Sequence, residues 1–283
     1  MRESLLYALG TGFYAVLTAH AWLRPAMVCY DTIPYTHVPR KYGPQIVLLL
    51  ALLCHGMVLH NTIFRQDSLI FGFAYALSAM LWLGVGMYWL ESFFLPLSGL
   101  GLFLLPSALG AMLLPLIAVG SPVLANPASV LFKVHFVIAN MAYGMLALAA
   151  FHALLMLLIE RRLHGLGRNG GVVWLSRWLD TMPPLLAMER LLFNKIAVGF
   201  VLLSLTIASG VWFSESFLGL LQINHKALFA LISWCMFGAI LLGRRCFGWR
   251  GRTALRWVLA SFGALLLAYV GSHFVLEILL RRV

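Results

Sequence analysis

The chain has 283 residues, of which 62% are apolar and only 10% are charged, and its mean hydropathy is +0.94. A soluble domain is about a quarter charged, so this composition excludes one and points to a protein that lives in lipid. The net charge of +11 would suggest a nucleic-acid partner in a soluble chain, but the cations here sit in loops between apolar runs, and no nucleic-acid partner is expected.

Apolar runs of roughly 18 residues or more read as bilayer spans. In chain order they predict an all-α, polytopic membrane protein of about eight transmembrane helices over residues 5–23, 44–62, 69–89, 99–119, 131–159, 195–213, 226–242 and 254–280. The first run follows a weak leader-like start, Met1-Arg2-Glu3-Ser4, and ends at Ala21-Trp22-Leu23-Arg24-Pro25 without a small-x-small cleavage pattern, so it is expected to be retained. The second carries His55 and His60, and the fourth contains Pro106 and Pro115, which lipid-embedded helices tolerate. The fifth carries His135 and His152. The stretch that follows contains Trp174, Trp178 and Met182-Pro183-Pro184, and residues 182–193 are expected to form a helix lying on the bilayer surface. His225 stands at the start of the seventh run and His273 near the end of the eighth. Cys29, Cys54, Cys235 and Cys246 show no paired spacing, which argues against thiol redox chemistry and structural zinc. The whole of 1–283 reads as one transmembrane helical domain.

Orientation follows from the basic residues. Segments 24–43, 160–195 and 243–256 hold fourteen of the twenty Lys and Arg and fall on one side of an eight-span chain. That side is expected to be cytoplasmic, with both termini outside and the protein placed in a bacterial inner (cytoplasmic) membrane.

With few carboxylates, the titratable residues inside the spans are mainly histidines, and intramembrane ionisable groups are functional candidates. At 1.5 Å per residue, His60, His135, His225 and His273 gather toward the outer face, whereas His152 lies about 25 Å from His135 along the same helix. Two neutral imidazoles on different helices can hold an iron porphyrin from both faces; copper or zinc can use the same ligands. Each histidine can equally well serve as an interhelical hydrogen bond.

Several stretches, taken together and in order, resemble the membrane-embedded cytochrome c assembly family, the group of CcsA-type and CcmC-type haem-handling proteins, and within it the HemX/YpjD-like branch. They are Lys133-Val134-His135-Phe136 with Met141-Ala142-Tyr143-Gly144, Met182-Pro183-Pro184 with Met188-Glu189-Arg190, His225-Lys226 with Ile232-Ser233-Trp234, Gly248-Trp249-Arg250-Gly251-Arg252, and Ala268-Tyr269-Val270-Gly271-Ser272. The resemblance puts the family core at about 44–282. It implies haem (heme b) held at the outer face by histidines flanking a tryptophan-rich segment. His135 corresponds to the first of these, His225 lies at the run into Lys226 and Trp234, and His273 lies in the region of the second. His135 and His225 are the implied axial ligands of the haem iron, with His273, His55 and His60 in reserve. The tryptophan-rich signature is reduced here to Trp212 and a short connection over 214–224.

The resulting expectation is a non-catalytic haem-binding or haem-handling protein supporting cytochrome c assembly, with the lipid bilayer, haem and other assembly proteins as partners. The alternative is a regulatory or scaffold protein of the same fold, acting on tetrapyrrole synthesis or another membrane system through its cytoplasmic loops.

Overall fold

A computed structural model describes residues 2–23, 42–65, 68–71, 73–93, 98–117, 121–123, 130–165, 185–218 and 225–268. Among them are eight α-helices: α1 (Arg2–Leu23), α2 (Gly43–Ile63), α3 (Phe73–Glu91), α4 (Gly101–Ile117), α5 (Val130–Gly165), α6 (Leu185–Leu218), α7 (His225–Phe247) and α8 (Gly251–Leu266). Five of these, α2, α3, α5, α6 and α7, are long and apolar enough to cross a membrane; α4 is apolar but shorter. The chain is a polytopic helical membrane protein, and the helices form because lipid leaves every backbone N–H and C=O to be satisfied within the chain.

Two details differ from the expectation. Residues 185–193 are not a separate surface helix but the first turns of α6, which runs unbroken from Leu185 to Leu218. No proline or glycine follows Pro184 until Gly199, so nothing stops the helix there, and Met188, Leu192 and Phe193 are buried against the other helices. The second difference is a small antiparallel sheet, β1 (Phe64–Arg65), β2 (Ser68–Phe71) and β3 (Ser121–Val123), in that order. Leu69 pairs with both Phe64 and Val123, so α3 starts at Phe73 rather than at Leu69.

The helices alternate in direction, which the contacts between their ends display. Trp22 at the end of α1 donates to the Leu102 carbonyl at the start of α4 (3.2 Å), and Trp89 near the end of α3 donates to the Gln45 carbonyl at the start of α2 (2.9 Å). Arg250 and Arg252 at the start of α8 meet Glu189 of α6 and Glu160 of α5. One end of the bundle, here the basic end, therefore collects the helix termini that flank segments 24–43, 160–195 and 243–256. The sheet closes the opposite end, between α2 and α3 and after α4.

α5 is the central helix, packed on α3, α6 and α8, while α1, α2 and α4 form a second group around α3. α3 and α5 touch through backbone at Gly84 and Gly144: a Cβ added at Gly144 would lie 2.9 Å from both the Gly84 nitrogen and the Met80 carbonyl oxygen. Small residues at such a crossing let two membrane helices approach closely enough for dispersion forces to hold them.

Candidate functional site

His135 lies on the second turn of α5, at the end of the bundle that carries the sheet, and is half-buried. Its Nδ1 is 2.8 Å from the Ser209 hydroxyl on α6. Ser209 spends its own proton on the Thr206 carbonyl, 3.1 Å away, so its oxygen is the acceptor toward the ring. Nδ1–H then donates, and the lone pair is left on Nε2. An imidazole with one nitrogen tied to a second residue and a free lone pair on the other is the form that ligates a metal. Gly210 flanks the ring: a Cβ there would meet His135 Cε1 at 3.5 Å. The residues present thus fit a histidine that could hold a haem iron through Nε2.

The other histidines differ in setting. His55 is completely buried, with Ser78 at 2.9 Å from Nε2, Tyr14 at 3.4 Å from Nδ1, and the Tyr14 ring edge-on to it. It ties α1, α2 and α3 together, the interhelical role that sequence left open for any one of these histidines. His60 is exposed near the end of α2. His225 is the first residue of α7, but its side chain, like the whole of His273, lies outside the described residues. The structure does not bring His55 and His135 into one site, since the contacts of the first are on α1 and α3 and those of the second on α6.

At the basic end lies a group that sequence reasoning did not single out. Lys195, on the third turn of α6 and 4% exposed, forms an ion pair with Glu91 at the end of α3 (2.9 Å) and lies 3.3 Å from His152 Nδ1 on α5. An ammonium can only donate, so His152 accepts at Nδ1 and carries its proton on Nε2, which is buried with no partner among the described residues. The sequence carried only half of the signal: an unbroken helix from Leu185 puts Lys195 in need of a counter-ion, but the reading that started the span at residue 195 left the lysine at a helix end.

Comparison with known proteins places the chain. The family model described as Cytochrome C assembly protein matches residues 45–280. The inner membrane protein YpjD of Escherichia coli K12 is 30% identical over 146 residues, 52% of each chain. A 28.8 kDa protein of Azospirillum brasilense is 32% identical over 148 residues, again 52% of each. The cytochrome c biogenesis protein CcsA of Prochlorococcus marinus MIT 9515 is 33% identical over 88 residues, 31% of this chain and 28% of that one. The chain thus spans about half the length of the first two of these relatives and 28% of the third. No solved structure matches it.

Proposed function

This chain belongs to the cytochrome c assembly protein family, and from that membership we propose that it is a multi-pass inner-membrane protein that takes part in cytochrome c biogenesis by holding haem, without catalysing a reaction. The observation that supports haem binding is the His135–Ser209–Thr206 chain, which presents an oriented, unprotonated Nε2 on a helix that the matched region includes. In this reading His135 and His225, which opens α7, would hold the haem iron; His273 and His60 follow as alternates, and His55 is last because both its ring nitrogens are engaged. Haem, when bound, would supply an iron centre that imidazole can ligate. The protein's part is to fix the ring plane and tautomer of His135 through Ser209, to keep water away with the apolar faces of α5 and α6, and to hold the propionates, for which Lys226 beside His225 is the nearest cation in sequence.

The absorption spectrum of the purified protein tests this. His135→Ala is expected to lose most of the bound haem, whereas His152→Ala, at the other end of α5, retains it per folded molecule. Ser209→Ala is expected to weaken haem affinity by about 10- to 100-fold, as loss of a residue orienting a metal ligand does. In the haem-free protein it should also redistribute the His135 tautomers seen by nitrogen-15 NMR. Greater loss from His152→Ala than from His135→Ala would overturn the site.

A further inference from the structure

The turn between α7 and α8 is built to stay in one shape. Gly248 and Gly251 take φ of +65° and +66°, a region closed to residues with a Cβ at low cost, and Trp249 folds back so that its N–H reaches the Gly243 carbonyl at 3.1 Å. The Trp249 ring occupies the space over Gly243, where a Cβ would lie 2.6 Å from it, and stands 6.1 Å from Trp257. This rigid turn carries Arg244, Arg245, Arg250, Arg252 and Arg256, and the adjoining ends of α5 and α6 add Arg161 and Arg190. Contacts between these elements place them together: Arg250 with Glu189, Arg252 with Glu160, and Arg244 with the Glu189 carbonyl and over the Phe193 ring.

Among the residues of this end whose side chains are described, seven arginines and Lys195 stand against three glutamates, Glu91, Glu160 and Glu189; with Lys195 and Glu91 paired to each other, a surplus of five positive charges remains. The ion pairs are loose, both at 3.7 Å, and Arg250 remains 68% exposed. Apart from the buried Lys195, each of these cations is arginine, whose planar fork pairs with two phosphate oxygens where lysine offers a point charge. Apolar side chains stand beside the charge: Leu242 and Phe247 are 64% and 79% exposed, at the end of a helix long enough to span the bilayer.

We propose that this arginine-rich turn, with the adjoining ends of α5 and α6, is a binding site for the phosphates of an anionic phospholipid. Cations offered next to exposed apolar side chains at the end of a spanning helix match a headgroup whose acyl chains continue down α7. A soluble phosphate compound would match the arginines but would make no use of the exposed Leu242 and Phe247 beside them. The site is independent of the haem reading, since it uses none of the proposed ligands.

Native mass spectrometry of the full-length protein, titrated with diphosphatidylglycerol and separately with phosphatidylcholine, tests it. The expected result is retention of the first through collisional activation that strips the second. At about fivefold per arginine, Arg250→Gln/Arg252→Gln/Arg256→Gln should weaken binding of the anionic lipid by roughly a hundredfold. The corresponding lysine variant, which preserves charge, should fall between the two. Inorganic pyrophosphate is expected not to displace the lipid. Equal retention of the two lipids by the unsubstituted protein would overturn the proposal without need of any variant; so would unchanged lipid binding in the glutamine variant, or displacement by pyrophosphate, which would assign the arginines to a soluble phosphate.

Discussion

Lys195 sits in a helix that crosses the bilayer, and its ammonium can be kept there only if something in the protein answers it. Glu91 does so at 2.9 Å and His152 adds an acceptor at 3.3 Å, so three helices share one polar contact. Removing one member of such a pair leaves the other charge buried and uncompensated, which costs about 3–5 kcal/mol. Glu91→Leu is accordingly expected to lower the thermal transition of the purified protein sharply, and Lys195→Met/Glu91→Leu to recover much of the loss, a non-additivity that a scanning fluorimeter can read. Equal losses that simply add would mean the two side chains do not act as a pair. At this scale the sequence was partly legible. His135 stood out because its neighbours matched a family, but the partner that sets its tautomer, Ser209, is 74 positions away and one of many hydroxyls in apolar helices. Glu91 was hidden in a short connection, and nothing local to it tells that α6 will bring a lysine alongside.

The helices themselves were legible wherever an apolar run was bounded by charge or proline, because lipid leaves no alternative backbone structure for such a run. Their ends were less so. α6 begins about ten residues before the predicted span, since its first turns are charged on one side and apolar on the other and hydropathy alone reads them as loop. The sheet strands were missed because two to four residues of β1, β2 and β3 give no periodicity to read. What spacing does not reveal at all is how near two helices lie, and at Gly144 that distance is decisive. Gly144→Ala forces a methyl into the backbone of α3 and is expected to cost about 1–3 kcal/mol or more. Gly86→Ala, where a Cβ meets nothing within 4 Å, should leave stability unchanged or slightly raise it through better helix propensity. Matching melting temperatures for the two variants would show that the α3–α5 crossing is not this close.

On the scale of the whole molecule, fourteen of twenty basic residues lie in three segments flanked by helix ends that the structure gathers at one end of the bundle. We expect that end to face the cytoplasm. An export-dependent reporter fused after Arg168 should be inactive and one fused after Gln222 active; the reverse pattern would turn the protein over and move His135 to the inner side. The alternation of helices behind that prediction also governs how the chain comes into being. Glu91 leaves the ribosome 104 positions ahead of Lys195, so during synthesis α3 waits with an unanswered carboxylate until α6 has been laid into the membrane. The carboxylate at the end of α3 thus gains its partner only when α6 is packed beside it, after Leu185 and the turns that follow have been made. The ion pair is therefore a contact of the completed bundle, one that no shorter portion of the chain ending before α6 can make.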